Sequence, residues 1–264
     1  EAWSKQSNWV QIGTNREYFY QITSKETMKE NGKKWSKLIE SGIENGGLLA
    51  YHNLVSFSSK GVMTDPSTGK EFSITDYDPL ARTLYVTPNY LDIQNVPVSP
   101  EGKDHLNHLQ AGEFGLLLPE KLKSREEEMI KRYEDYLSPR DDQGNIALSM
   151  KARVTYLPNN QKRFIYNNTP ISYKQFFTDP VLVIVQPESF GGYENPYFTQ
   201  LNSYLYFNGL ENSKKLVAEY DLEKNVSQYD YAASVYQQMI QTIQLENLIT
   251  IAGGIFAIAT SILL

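Results

Sequence analysis

The sequence predicts an α+β fold: a mixed sheet with flanking helices, carried on a long C-terminal stalk helix that enters a membrane. Three observations predict it. Helical and strand patterns are interspersed along the chain with no internal repeat. The run PVLVIVQP at 180–187 is the most continuous apolar, β-branched stretch and reads as a central strand. The chain closes on LITIAGGIFAIATSILL, 248–264, seventeen residues without a charge.

Residues 1–16 are largely polar, with Trp3 and Trp9, which suit either an interfacial aromatic belt or ordinary core or surface positions. From Ser24 a helix is expected, with Glu26 in its first turn and Met28, Trp35, Leu38 and Ile39 on one stripe. Asn45-Gly46-Gly47 stops it in a left-handed turn. LLAYHNLVSF (48–57) and RTLYVTPNYL (82–91) read as strands, and DPSTGKEF (65–72) between them has hairpin or loop chemistry. VPVSPEGK (96–103) reads as a loop and EFGLLLPEKL (113–122) as a short buried strand running toward a helix. The charged helix 120–137 presents Leu122, Met129, Ile130, Tyr133 and Leu137 on one face and stops at Pro139 to Gly144. Residues 145–167 alternate weakly about Pro158-Asn159-Asn160 and read as a β-hairpin, and 197–222 hold at least one more helix. The expected organisation is an α+β domain over 1–228, divisible into two subdomains with one centred on 80–190, a stalk helix over 229–247 and a membrane helix over 248–264.

The stalk rests on Tyr229, Ala232, Tyr236, Met239 and Ile243, which recur at spacings of three and four as an amphipathic seam. The apolar run after it sits at the lower limit of about 17 residues for crossing a bilayer. Its small residues Ala252, Gly253, Gly254, Ala257 and Ala259 suit helix packing in lipid, whereas a buried core helix is the competing reading. Beginning at Glu1 and not Met, the chain is expected to be processed or part of a longer one.

Composition removes several functions. The 264 residues carry a net charge of −6, which argues against nucleic acid or anionic lipid as the main partner. Without cysteine there are no disulfides, thiolate metal sites or cysteine nucleophiles. Asp104, His105 and His108 have metal-ligand spacing but read as surface groups, and His52 as a core or edge residue. Ser189 lacks the surroundings of an acyl-transfer serine. Glu126 to Glu128 read as a solvated helix face, and Asp65 with Glu71 falls short of a calcium loop. No cofactor, metal or catalytic group is expected. The one excess is tyrosine, nineteen in all, and a peptide-facing aromatic surface is expected on the loop carrying Tyr193, Asn195, Tyr197 and Phe198.

VTPNYLDIQNVPVSPEGK, GLLLPEKLKSREEEMIKRY, NQKRFIYN and DPVLVIVQPE, in that order, resemble the extracytoplasmic loop of bacteriocin-associated integral membrane proteins of Gram-positive bacteria. These are permeases of the FtsX/MacB type of ABC transporter, and the matching phrases centre on Asn89–Gly102 and Leu117–Tyr133. The resemblance implies a domain set between a first and a second membrane helix, with residues 1–247 outside the cytoplasm and a non-catalytic role. It also implies a cytoplasmic ATPase and further permease segments as partners, an antimicrobial peptide as cargo, and a membrane setting in which a homodimer is compatible. The chain itself has no phosphate-binding loop for ATP. A membrane-anchored surface hydrolase or a peptide-binding receptor module is the alternative reading.

Overall fold

The computed structural model describes residues 8–15, 25–53, 58, 61–64, 69–140, 143–166, 175–190 and 204–263. The chain is α+β. Strand β1 (Trp9–Thr14) is followed by helix α1 (Lys25–Glu44), β2 (Leu48–Tyr51), β3 (Val62–Thr64), β4 (Glu71–Ser73) and β5 (Thr83–Val86). Next come α2 (Tyr90–Ile93), α3 (Pro100–Asn107), β6 (Glu113–Pro119), a 3-10 segment (Glu120–Arg125) and α4 (Glu126–Leu137). Strands β7 (Lys151–Leu157), β8 (Lys162–Phe164), β9 (Phe176–Thr178), β10 (Val181–Ile184) and β11 (Leu205–Asn208) lead to α5 (Leu210–Glu219), β12 (Val226–Tyr231) and α6 (Ala232–Leu263).

Eight strands form one mixed sheet in the order β12-β1-β11-β2-β5-β10-β6-β7. β10 lies parallel to β5 and antiparallel to β6, and β6 is parallel to β7. The apolar run 180–187 thus does supply an interior strand, and its continuity has a simple cause. Val181 and Val183 face a layer built with α1, α4 and α5, while Leu182 and Ile184 face a second layer. α2, α3 and the β8–β9 pair supply that second layer. A strand covered on both faces has no polar side to show. Each such leucine, isoleucine or valine contributes about 1.5–3 kcal/mol by leaving water.

Helix α1 buries Trp35, Leu38 and Ile39 and stops where expected. Gly46 adopts φ +81, and the Gly47 amide donates to the Gly42 carbonyl at 2.7 Å. That six-to-one bond with a left-handed residue is a Schellman stop.

Several expectations are corrected. Residues 96–103 do not form a loop throughout: Ser99 caps α3, its Oγ accepting from the Gly102 amide at 3.0 Å, with Pro100 in the first turn. A proline there costs nothing, because that amide has no helical partner anyway. The proposed hairpin over 145–167 does not exist. β7 pairs with β6, and β8 pairs with β9. The helix expected from 120 runs as a 3-10 segment until Arg125, where α4 begins. Trp9 is a core residue, 5% exposed, and not part of an aromatic belt; Trp3 lies outside the described residues.

The C-terminal helix also starts later than its sequence pattern implied. Residues 226–231 form β12, antiparallel to β1 with Val10 opposite Tyr231. Tyr229 therefore sits in the sheet, and Ala232, the first residue of α6, is buried in the core. Pairing with β1 takes the alternating stretch VSQYDY out of the helical register. The remaining 32 residues of α6 are continuous. Among the described residues, no helix is long and apolar enough to cross a membrane. The side chains described on α6 reach only to Gly253.

Gly115 in β6 leaves room for Leu106 of α3 to lie against the sheet. A Cβ there would lie 2.9 Å from the Cβ of Ile184 and closer still to Leu106. Gly115→Val should destabilise the fold by about 1–3 kcal/mol through overpacking, measured as a lowered urea midpoint with an unchanged slope.

Candidate functional site: a cleft at the open edge of the sheet

Among the described residues, an open cleft of about 690 Å3 lies between α3 and β7. It follows from how these two elements are held. Leu106 anchors α3 over Gly115, and Gln186 Nε2 donates to the Leu106 and Asn107 carbonyls at 3.4 and 3.2 Å. The outer surface of α3, with Asp104, His105 and His108, is left facing solvent. Among the described residues, β7 is the last strand of the sheet. The helix forms one wall, residues 152–155 the opposite one, and Gln110 and Glu113 line it as well.

Glu113 is the best-held charge in the cleft. Its carboxylate accepts from Arg153 Nε at 3.0 Å, from Arg153 Nη2, and from the Gln110 amide at 3.2 Å. The Arg153 guanidinium, seconded by the Gln110 amide, holds the Glu113 carboxyl below the usual carboxylate range. Asp104 is less well matched: its carboxylate meets His108 Nδ1 at 3.4 Å, and both side chains are 72% exposed. His105 and His108 are both exposed. Among the described residues, no three histidine, aspartate or glutamate side chains converge to hold a metal ion.

Other residues singled out in the sequence fall elsewhere. Glu127 and Glu128 are exposed, as a solvated face requires, but Glu128 is also paired. It accepts from Arg125 Nε and Nη2 at 2.8 and 2.9 Å and from Arg132 Nη2 at 2.9 Å, and Arg132 Nη1 continues to the buried Asp78 at 2.9 Å. Glu126 accepts the Tyr156 hydroxyl. Ser189 is fully buried and serves the backbone, its Oγ accepting from the Gln186 amide and its carbonyl from the Gly112 amide. His52 is fully buried beside the Tyr204 ring, 5.4 Å between centroids, and burial drives its pKa down to about 3. The aromatic loop with Tyr193, Asn195, Tyr197 and Phe198 lies outside the described residues, as do the side chains of Tyr236, Met239 and Ile243 on α6.

Sequence reasoning missed Arg153 and the cleft it lines. Its partner is forty residues away and becomes a neighbour only through the parallel β6–β7 register, which sets Glu113 two positions from Arg153. One signal was available: Lys151 and Arg153 alternate along KARVTYL, a pattern that protects a sheet edge.

No family model, curated protein or solved structure matches the chain.

Two titrations follow. A depressed carboxylate pKa contributes stability that is present above the unfolded value of about 4.3 and lost as pH falls through the folded value. Arg153→Ala should therefore move the Glu113 midpoint upward, read by carboxyl carbon NMR; an unmoved midpoint would leave the Gln110 amide as its sole cause. His52 is buried neutral, whereas the unfolded imidazole titrates near 6.5. Its contribution is complete above about pH 6.5 and erodes by about 1.4 kcal/mol per pH unit down to its folded value. His52→Gln should flatten the fall of Tm between about pH 6.5 and 4.

Proposed function

We propose that this chain is the extracytoplasmic domain of an ABC-transporter permease, held at the cell membrane by the end of α6. It couples ATP hydrolysis by a cytoplasmic partner to export of, or immunity to, a peptide. The observation that carries the reading is the pairing of β1 with β12. Val10 lies opposite Tyr231, and α6 begins at the next residue. The first and last described strands thus lie side by side, with paired residues about 5 Å apart. A domain inserted between two membrane helices needs this arrangement, because both connections must reach the same patch of bilayer.

The composition of α6 supports the anchoring role. Residues 232–247 rise about 24 Å at 1.5 Å per residue. Gln237, Gln238, Gln241 and Gln244 are exposed there. Beyond them Leu248, Ile249 and Ile251 are 67%, 61% and 62% exposed. Consecutive turns of a helix with large apolar side chains in the open call for an apolar surrounding. The sequence continues uncharged to Leu264. With no loop between β12 and α6, a displacement of the helix loads the sheet edge directly, which suits a coupling element.

Full-length chain should co-float with lipid vesicles. Ile251→Lys combined with Ile258→Lys should abolish flotation, a lysine costing about 2.5–3.5 kcal/mol at mid-bilayer and less toward the interface; flotation unchanged by both lysines would refute the anchor. Met239→Asp, outside the apolar run, should leave flotation intact while abolishing peptide resistance or export in cells. Normal resistance in that variant would remove the coupling role.

A further inference from the structure

We propose that the outer edge of β7, together with the cleft beside α3, is a docking site for an extended basic peptide, which adds as a further strand and sets a cationic side chain on Asp104. The inference deepens the permease reading by giving its peptide a place and a chemistry, and it rests on that reading for its biological sense.

The backbone supplies the first argument. The Lys151 amide donates to the Gly112 carbonyl at 2.7 Å, so Lys151 and every second residue after it turn their amides toward β6. Ala152, Val154 and Tyr156 turn theirs outward. The Ala152 amide is taken by the Glu134 carboxylate at 3.1 Å, which confirms the direction and closes that end of the edge. Val154 and Tyr156 keep outward amides with no strand beyond them among the described residues. Their side chains and that of Ala152 pack toward the α4 layer, so Ala152 and Val154 meet the cleft through their backbone. An extended segment pairing here would run along the cleft wall.

Charge supplies the second argument and selects the occupant. Arg153 is consumed by Glu113, Lys151 pairs with Glu134 at 3.3 Å, and Lys103 pairs with Asp92. These three cations are matched within the chain, and Lys123 lies over the Tyr156 ring at 5.3 Å on the α4 side of the strand. Asp104 remains as a carboxylate without a lysine or arginine, on a chain of net charge −6. A peptide with lysine or arginine at alternate positions places those side chains on one face of the added strand. An acidic segment would meet Asp104 and Glu113 with like charge.

The test uses the full chain in detergent micelles and a fluorescein-labelled peptide of about twelve residues alternating lysine and threonine, with alternating glutamate and threonine as control. Anisotropy should show saturable binding of the basic peptide and none of the acidic one. Val154→Pro removes an outward amide without touching the β6 ladder and should weaken binding at least about tenfold, while Val154→Thr, which keeps the amide, should not. Asp104→Asn, at an exposed position, should cost about threefold. Circular dichroism of Val154→Pro separates lost pairing from lost folding, and Asp104→Asn carries the test if the proline variant unfolds. No saturable binding, equal binding of both peptides, or full affinity in Val154→Pro and Asp104→Asn overturns the proposal. A wild-type dimer that Val154→Pro dissociates in sedimentation would assign the edge to a second copy and also overturn it. Vesicle flotation is read separately, so loss of anchoring with peptide binding intact would sink the membrane reading alone.

Discussion

The pairing of the first strand with the last is the constraint on which the rest depends. β1 and β12 are separated by more than two hundred residues, and closing such a loop costs about 5 kcal/mol in chain entropy beyond a constant. The return comes from what the closure buries. β1 also pairs with β11, and Ile12 and Trp9 enter the two cores on opposite faces of the sheet. Ala232 belongs to the same core as Trp9, so the root of α6 is set in packed side chains and not in a flexible joint.

Across the sheet, polar ties hold layers that apolar packing alone would leave free to slide. The Thr83 and Tyr133 hydroxyls meet at 2.6 Å, joining the central strand β5 to α4. Tyr90 donates to the Phe164 carbonyl at 2.8 Å and Tyr206 to the Tyr166 carbonyl at 3.1 Å, fixing the β8–β9 pair over the opposite face. The buried Asp179 sits in a left-handed turn at φ 50 before β10. Its carboxylate takes Lys121 Nζ at 2.6 Å and the Gln161 amide at 2.7 Å, binding three separate segments. Burial pushes that carboxyl up, but the lysine and the backbone donors more than offset it and hold it below the usual range. Many of the nineteen tyrosines are explained here: Tyr85, Tyr90, Tyr133, Tyr166, Tyr204 and Tyr206 are buried, and their hydroxyls or rings serve the core.

The cleft is the by-product of these ties and of an edge left open. α3 is pressed onto β6 by Leu106 against Gly115, while β7 extends one strand further than the helix covers. Lys151, Arg153 and Glu134 blunt part of that edge with charge, as proteins do where a strand has no neighbour. Further along, Lys123 lies over the Tyr156 ring, and Val154 and Thr155 line the cleft.

By itself the sequence determined the elements whose signals are local. The helix face of Met129, Tyr133 and Leu137, the glycine stop after α1, and the interior strand VLVI are legible because periodicity, turn chemistry and continuous apolarity act over a few residues. It also determined the uncharged run at the C-terminus. What the sequence could not carry was partnership. WVQIGT, YLYF and VSQYDY read as polar ends, an aromatic cluster and a helical seam until they pair with one another and with β2. The same holds for Arg153 with Glu113 and for β7 with β6 in place of a hairpin. Strand neighbours are chosen by long-range hydrogen bonds and by which faces must be buried together, and a single chain's local pattern does not encode which strand lies beside which.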